Sequence, residues 1–238
     1  MPAVFVHGVP DTDRVWEPLI AELGRGDVVS LQLPGFGCDA PVGWRATKEE
    51  YADWLVTEVV AIDEPVDIVG HDWGGMLVAR LLTLAPTSVR TWTFGGSPVD
   101  PAYVWHDMAK LWQTPEVGEE LMTAFDPDTA GPGLVEAGVP QSHVDITTAA
   151  IDDRMKTCIL ALYRSAVTVG TDWGSELAPL AAPGLVLWGG HDPYAPADTG
   201  RAMATRCGAR FEELDTGHWW QLEAPAVAAG LLEAHWAR

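Results

Sequence analysis

Basic residues are scarce in this chain of 238 residues. Its 14 lysines and arginines face 34 aspartates and glutamates, which gives a formal net charge of −20. Such a surface repels a phosphate backbone, so we expect no nucleic acid partner. The chain also lacks any run of about 18 apolar residues, so we expect no membrane-spanning segment.

Cysteine is equally scarce. The three cysteines, Cys38, Cys158 and Cys207, are odd in number, widely spaced and without a CxxC pair. This pattern argues against a disulfide framework and against a zinc site, and it suits a reducing compartment. We therefore expect a cytoplasmic protein without a metal centre.

Short apolar runs alternate with helical patterns along the chain, which is typical of a parallel sheet covered by helices. We predict strands near residues 3–7, 27–32, 66–70, 90–95, 184–189 and 210–214. We predict helices near residues 15–23, 47–62, 74–84, 197–207 and 221–236. Thr47 and Glu50 form a capping box at the start of the second helix. The expected fold class is α/β, with about six mostly parallel strands.

The stretch from Ser97 to Ala166 has no strand-like run. It carries helical patterns at 102–112, 115–124 and 144–168, which Asp126-Pro127 and Gly131-Pro132-Gly133 interrupt. We therefore predict a helical cap at 97–166, inserted into an α/β core that comprises residues 1–96 and 167–238.

The segment Gly70-His71-Asp72-Trp73-Gly74-Gly75 directly follows the third predicted strand and directly precedes a helix. A sharp strand-to-helix turn of this kind exposes its central side chain, and glycines two residues to either side make room for it. The positive end of the helix dipole also favours an anion at this position. We predict that Asp72 is a catalytic nucleophile. For this aspartate alone, the alternative is a helix N-cap.

Three further motifs end predicted strands: Val6-His7-Gly8-Val9-Pro10, Trp188-Gly189-Gly190-His191-Asp192 and Asp215-Thr216-Gly217-His218. Strand ends of a parallel sheet meet at one edge, where active groups gather. We predict that Asp192 orients His218 as the base, and that the backbone N–H groups of Val9 and Trp73 form an oxyanion hole.

Other residues of these motifs receive structural roles. His7 is expected to hold its loop. Asp198 and Asp215 are alternatives to Asp192, but Asp198 should begin a helix and Asp215 stands only three residues before His218.

With these motifs in this order, nearly the whole chain resembles the α/β-hydrolase superfamily. Within it, the chain is similar to the branch with an aspartate nucleophile, which holds epoxide hydrolases, haloalkane dehalogenases and fluoroacetate dehalogenases. The segment 70–78 looks most like epoxide hydrolases. Two features depart from that pattern: the two strands that usually precede the first one are expected to be missing, and Val9 replaces a residue that is often aromatic in epoxide hydrolases or Asn in many haloalkane dehalogenases.

The resemblance implies a reaction at sp³ carbon. A carboxylate displaces a leaving group there and forms an alkyl ester. His218 then activates water, which attacks the ester with help from the oxyanion hole. The expected activity is that of an epoxide hydrolase, which gives a vicinal diol and needs no cofactor.

The leaving group decides the substrate. An epoxide oxygen needs a donor such as Tyr, and Leu160-Ala161-Leu162-Tyr163-Arg164 is similar to a cap segment that carries one ring-opening Tyr in epoxide hydrolases. We predict Tyr163 as the acid; a packed cap tyrosine is the alternative. Epoxide hydrolases carry a second ring-opening Tyr in a region that residues 105–115 resemble, and the position that matches it here is Met108 or a neighbour. We therefore expect Tyr103 or His106 to donate instead.

Three alternatives remain open. A haloalkane dehalogenase would hold its halide with the indole of Trp73 and that of Trp105 or Trp112. A fluoroacetate dehalogenase would need cations after the nucleophile, and Trp73-Gly74-Gly75-Met76 offers none. A non-catalytic binding module would have no need of the Asp72, Asp192 and His218 set. The expected partner is a small apolar substrate, and both a monomer and a homodimer fit the sequence.

Overall fold

The computed structural model describes residues 1–238. A single sheet of six strands runs through it in the order β2-β1-β3-β4-β5-β6, and every neighbouring pair is parallel. The strands are β1 (Ala3–Val6), β2 (Val28–Leu31), β3 (Val66–His71), β4 (Val89–Gly95), β5 (Gly184–Gly189) and β6 (Arg210–Leu214). The predicted α/β fold class, with six parallel strands at the predicted positions, is confirmed.

Twelve α-helices accompany the sheet. They are α1 (Glu17–Glu22), α2 (Lys48–Val60), α3 (Trp73–Leu84), α4 (Asp107–Gln113), α5 (Val117–Ala124), α6 (Pro127–Glu136), α7 (Gln141–Ala149), α8 (Asp153–Ser165), α9 (Val169–Asp172), α10 (Ala197–Cys207), α11 (Trp220–Glu223) and α12 (Pro225–Trp236). Short 3₁₀ helices occupy Asp13–Trp16, Pro86–Ser88 and Gly174–Glu176. None of the helices combines the length and the apolar character needed to cross a membrane.

The burial of the strands explains their composition. Strands β1, β3 and β5 are buried at every residue, as expected for strands covered by helices on both faces. The edge strands β2 and β6 are partly exposed and carry polar residues such as Ser30 and Glu213. The predicted capping box is present, with Thr47 accepting from the Glu50 N–H and Glu50 from the Thr47 N–H.

Six helices, α4 to α9, lie between β4 and β5, and no strand interrupts them. Five of these helices, α4 to α8, lie within residues 97–166, for which the sequence predicts a cap, and α9 lies outside that range. The helices within that range differ in detail from the prediction: the first begins at Asp107 rather than near 102, and the third is divided at Ala150–Asp152 into α7 and α8.

Helix α6 corrects the prediction of a break at 126–133. Asp126 accepts from the N–H groups of Asp128 and Thr129 at 3.0 and 2.9 Å, and Pro127 occupies the first helical position, where its missing N–H costs nothing. Leu134 of α6 packs in a buried cluster with Val144 of α7. Tertiary packing therefore overrides the helix-breaking signal of the glycines and Pro132.

Candidate active site

Asp72 occupies the sharp turn between β3 and α3, with φ 52° and ψ −124°. A Cβ at Gly70 would lie 2.6 Å from the Gly74 carbonyl oxygen, and one at Gly74 would lie 2.0 Å from the Val6 carbonyl oxygen. Only glycine fits at either position, as the sequence predicts. The Asp72 carboxylate makes no capping hydrogen bond to α3, which argues against the N-cap alternative.

The two carboxylate oxygens of Asp72 have different surroundings. The N–H of Val9 donates to Oδ1 over 2.8 Å, and the neighbouring backbone N–H of Trp73 also lowers the pKa of this carboxylate. Gly8 approaches so closely that a Cβ there would lie 2.3 Å from Oδ1. One oxygen therefore sits where the sequence predicts an oxyanion hole, while Oδ2 faces His218.

His218 lies between two carboxylates. Its Nδ1 is 2.8 Å from Asp192 Oδ2, and its Nε2 is 3.7 Å from Asp72 Oδ2. The other oxygen of Asp192 accepts from the N–H groups of Tyr194 and Ala195 at 2.8 and 3.0 Å. These bonds fix the orientation of Asp192, and the structure thus brings the three predicted residues together in the predicted order.

The two alternative acids point elsewhere. Asp198 lies in the first turn of α10, where Arg201 pairs with it, and its side chain is 98% exposed. Asp215 is exposed and bonds to Nε2 of His191 over 2.8 Å. Neither carboxylate contacts His218.

The electrostatics of the site come from burial and opposed charges. Burial raises the pKa of Asp72, although the charge of His218 and the N–H groups of Val9 and Trp73 counteract it. Burial by itself lowers the pKa of His218, but the charge and hydrogen bond of Asp192, together with the charge of Asp72, raise it to about 9. The resting site therefore favours an imidazolium beside carboxylates.

Two further histidines support the site from below. His7 donates from Nδ1 to the Gly8 carbonyl and accepts the Leu33 N–H at Nε2, and so holds the loop that carries Val9. His71 donates from Nε2 to the His218 carbonyl over 2.9 Å, and its Nδ1 accepts from Gln221. Burial lowers the pKa of His71 well below its ordinary value, so the ring stays neutral. Apart from the position of His71 beside Asp72 in the turn, nothing in the sequence indicates that His71 binds the His218 carbonyl.

A cavity of about 310 Å³ opens above Asp72 and His218. None of its 15 lining residues is Lys or Arg. Besides Asp72 and His218, the sheet side contributes Val9, Pro10, Tyr194 and Trp219, and the helical segment contributes His106, Met108, Trp112, Phe125, Thr129, Ala130, Gly133, Leu134 and Tyr163. The site residues do not group into a set of three ligands for a metal ion.

The predicted hydrogen-bond donors divide into two groups. Tyr163, His106 and Trp112 line the cavity, and Tyr163 packs against Trp73 with ring centroids 5.4 Å apart. Tyr103 and Trp105 do not line it: their polar hydrogens go to the carbonyls of Tyr194 and Ala166, each over 3.1 Å.

The protonation of two of these donors follows from their surroundings. Nδ1 of His106 accepts the Ala109 N–H, which leaves Nε2 as the protonated nitrogen, and burial lowers the pKa of His106 to about 4. Burial raises the pKa of Tyr163 well above its ordinary value. Both groups are therefore neutral donors at neutral pH.

Several site residues escaped the sequence analysis. Asp11, directly after Val9-Pro10, is buried; its Oδ2 accepts from Trp219 Nε1 over 2.9 Å, and its Oδ1 has no partner. Burial raises the pKa of Asp11 to about 7. Tyr194 follows Asp192 by two residues, and that nearness was the only signal available for it. The lining residues of α6 were missed because no helix was predicted there.

Comparisons with known proteins agree with this fold. The sequence pattern of the alpha/beta hydrolase family matches residues 3–231. A 2-hydroxy-6-oxononadienedioate/2-hydroxy-6-oxononatrienedioate hydrolase from Cupriavidus pinatubonensis is 26% identical over an alignment 241 positions long, which covers 92% of this chain and 81% of that protein. An (E)-2-((N-methylformamido)methylene)succinate hydrolase from Acinetobacter baylyi is 26% identical over 91 residues, or 37% of this chain and 35% of that protein, so the match spans about a third of its length.

Among solved structures, a haloalkane dehalogenase from Bradyrhizobium elkani superposes with a TM-score of 0.80 at 20% identity, over 99% of this chain and 91% of that one. A 2-hydroxy-6-oxo-6-phenylhexa-2,4-dienoate hydrolase from Rhodococcus superposes with a TM-score of 0.76 at 24% identity, over 100% and 91% of the two chains. At these identities the likeness establishes the shared fold.

Proposed function

Because this chain belongs to the alpha/beta hydrolase family, we propose that it is a hydrolase that acts at sp³ carbon through an alkyl ester of Asp72, and specifically an epoxide hydrolase. One observation carries the proposal. The turn between β3 and α3 carries an aspartate that lines the cavity; its Oδ1 accepts the Val9 N–H, and its Oδ2 faces His218.

The first step is displacement. Oδ2 of Asp72 attacks a ring carbon of the epoxide, the bond from that carbon to the ring oxygen breaks, and a covalent ester forms. The hydrogen bond from Val9 keeps the carboxylate oriented for this attack. Tyr163 lines the same cavity and has a neutral hydroxyl to hydrogen-bond the departing oxygen.

The second step is hydrolysis of the ester. His218 takes a proton from water, and the water oxygen attacks the Asp72 carboxyl carbon. The negative charge of Asp72 is one cause of the raised pKa of His218. Esterification removes that charge, so the pKa of His218 falls when the base is needed. The Val9 and Trp73 N–H groups then stabilise the oxyanion that forms on Oδ1. The bond between the carboxyl carbon and Oδ2 breaks, and Oδ2 leaves with the diol after taking the proton from His218. The new carboxyl group releases its remaining proton to solvent, which restores the Asp72 carboxylate.

The lining of the cavity supports a neutral, largely apolar substrate. It offers aromatic and aliphatic surface with a few polar groups, and it has no cationic side chain to pair with a substrate carboxylate. The curated relatives named above act on dioates and a succinate derivative, and the absence of a lining cation supports a different substrate class here.

A haloalkane dehalogenase is the second candidate, and one observation favours it. The indole N–H of Trp73 is buried and has no acceptor, so it is a potential halide donor beside the nucleophile. Trp112 lines the cavity, but the N–H of Trp105 is already bonded to the Ala166 carbonyl. Trp73 is itself absent from the cavity lining, which makes the epoxide the better supported substrate.

The test is a paired assay combined with covalent trapping. Wild-type protein receives styrene oxide with diol detection in one arm, and 1,2-dibromoethane with bromide detection in the other. A His218→Gln variant, which retains Asp72 but lacks the base, is incubated with each compound. The mass of the peptide that contains Asp72 is then measured by mass spectrometry. His191→Gln is the matched control, since that exposed histidine pairs with Asp215 away from the cavity.

The outcomes separate the candidates. Diol without bromide, with an adduct on Asp72 in His218→Gln only, supports the epoxide hydrolase. Bromide without diol supports the dehalogenase. No product and no adduct in either arm would contradict alkyl-ester chemistry and favour a non-catalytic binding module.

A further inference from the structure

Two tyrosine hydroxyls in the cavity donate to no acceptor of the protein. The Tyr51 hydroxyl donates to the Pro34 carbonyl and the Tyr103 hydroxyl to the Tyr194 carbonyl. Tyr163 and Tyr194 both line the cavity, and neither hydroxyl donates a hydrogen bond to another group of the protein. The cavity lining therefore contains two tyrosines whose hydroxyls have no acceptor in the protein, and only one of them comes from the helical segment 97–166.

Tyr194 stands on the base side of the nucleophile. Its N–H bonds to Asp192, and its ring packs edge-on against His218 with centroids 5.1 Å apart. Tyr163 packs instead against Trp73, the residue after the nucleophile. The two rings thus flank Asp72, one beside His218 and the other beside Trp73.

The two tyrosines differ in their access to water. Tyr163 is 3% exposed, whereas Tyr194 is only partly buried on the loop between β5 and α10. A sealed hydroxyl can donate a hydrogen bond, but once it loses its proton it has no ready source to replace it. A hydroxyl near solvent can give up a proton and recover one in every turnover.

We propose that Tyr194 is the general acid that protonates the oxygen of the opening epoxide, with Tyr163 as a hydrogen-bond donor to the same oxygen. This inference rests on the proposed function. As Asp72 Oδ2 bonds to the ring carbon, the carbon–oxygen bond breaks and its electron pair stays on oxygen. That oxygen takes the phenolic proton of Tyr194. The phenolate then recovers a proton from solvent, and hydrolysis of the ester returns one to solvent.

The electrostatics suit this role. Burial, followed by the charges of Asp192 and Asp72, raises the pKa of Tyr194 to about 12. The hydroxyl therefore stays protonated at neutral pH, yet it remains a stronger acid than an alcohol, so transfer to a forming alkoxide runs downhill. His106 contacts Tyr194, with ring centroids 4.9 Å apart, and is the rival donor.

The experiment measures ester formation alone. In the His218→Gln background, the rate of styrene oxide addition to the Asp72 peptide is followed by mass, with and without Tyr194→Phe. We expect Tyr194→Phe to slow addition by ~10²-fold, a typical share for general acid catalysis. Benzyl bromide, whose leaving group needs no proton, should add to Asp72 at the same rate in both proteins. Phe keeps the ring contact with His218, and Tyr51→Phe is the matched control for loss of a hydroxyl outside the cavity.

The results discriminate between the possibilities. An unchanged styrene oxide rate in Tyr194→Phe overturns the inference, and a loss in His106→Phe would then assign the proton to His106. Equal slowing with both electrophiles also overturns it, because a positioning role does not depend on the leaving group. If the His218→Gln parent forms no adduct with styrene oxide, the proposed function itself fails, and the inference fails with it.

Discussion

The carboxyl edge of the sheet and the helical segment 97–166 build the site in contrasting ways. At the sheet edge, the backbone fixes the position of each group. For Asp72, the tight turn depends on Gly70 and Gly74, where no side chain fits. In the helical segment, the cavity wall comes from α4, α6 and α8, together with His106 just before α4 and Phe125 just after α5. The proposed reactive groups thus come from short local motifs, whereas the shape of the proposed substrate cavity depends on packing between helices.

The largest effect should come from the centre of the sheet edge. Asp72→Asn removes the nucleophile, and we expect turnover to fall at least ~10⁴-fold, as for other covalent catalysts. The measurement is product formation in freshly purified protein, because slow recovery would report deamidation back to Asp. Undiminished activity in a fresh sample would place the reactive group elsewhere.

A smaller but still large loss should follow from a methyl group at Gly8. Its Cβ would meet Asp72 Oδ1 at 2.3 Å, so Gly8→Ala must displace the carboxylate or the loop. A catalytic group that is misplaced by about 1 Å typically costs ~10²-fold in rate, so we expect a loss of that order. Gly230→Ala on α12, where a Cβ meets nothing within 4 Å, is the control and should keep full activity. Equal turnover in the two variants would show that the site tolerates movement.

Asp11 offers a test of electrostatics at the same edge. Its pKa is about 7 in the folded protein against 3.8 ordinarily, so the folded state binds its proton more tightly and the free energy of unfolding falls as pH rises between these values. An Asn at position 11 keeps an acceptor for the Trp219 indole N–H and carries no buried charge at any pH. Asp11→Asn should therefore stabilise the protein increasingly with pH, by about 2 kcal/mol more at pH 7 than at pH 5.5.

Urea unfolding at both pH values measures this difference. Asp198→Asn, whose carboxylate is 98% exposed, should show no comparable gain. A gain for Asp11→Asn that is the same at both pH values would mean that the carboxylate is already charged at the lower one.

The smallest effect is expected in the helical segment. Leu134 of α6 lines the cavity and is 7% exposed. Leu134→Ala should enlarge the cavity and shift the ratio of kcat/KM toward bulkier substrates by ~10-fold, the lower end of what one methylene group is worth in a hydrophobic pocket. Val135→Ala, on the exposed face of the same helix, should leave the ratio unchanged. If both variants behave alike, α6 does not shape the substrate.

The same contrast governs what the sequence can predict. The strands and the turn at Asp72 were predictable because buried parallel strands read as apolar runs and because the turn demands glycine at fixed offsets. Helix α6 was not, because its Gly and Pro content opposes a helix locally and only its packing on α7 reveals it. The division of 144–168 at Ala150–Asp152 likewise has no strong breaker in the sequence.

Within the candidate site, the motifs predicted that Asp72, Asp192 and His218 lie together, but they gave no direction for side chains farther away. Tyr103 and Trp105 had the right chemistry, yet their polar hydrogens go to carbonyls that only the fold brings near. Tyr194 and Asp11 stand beside predicted motifs, and their contacts with His218 and Trp219 depend on loops that meet only in three dimensions.

The unequal surroundings of the two Asp72 oxygens also imply that only one of them exchanges with the oxygen of water during turnover. If Oδ2 forms the ester, that oxygen leaves with the product, and an oxygen from water takes its place in the protein. Oδ1, tethered by the Val9 N–H, stays through every cycle. After many turnovers in ¹⁸O-water, Asp72 should therefore carry one ¹⁸O atom rather than two. The position of the label would show which carboxylate oxygen forms the ester.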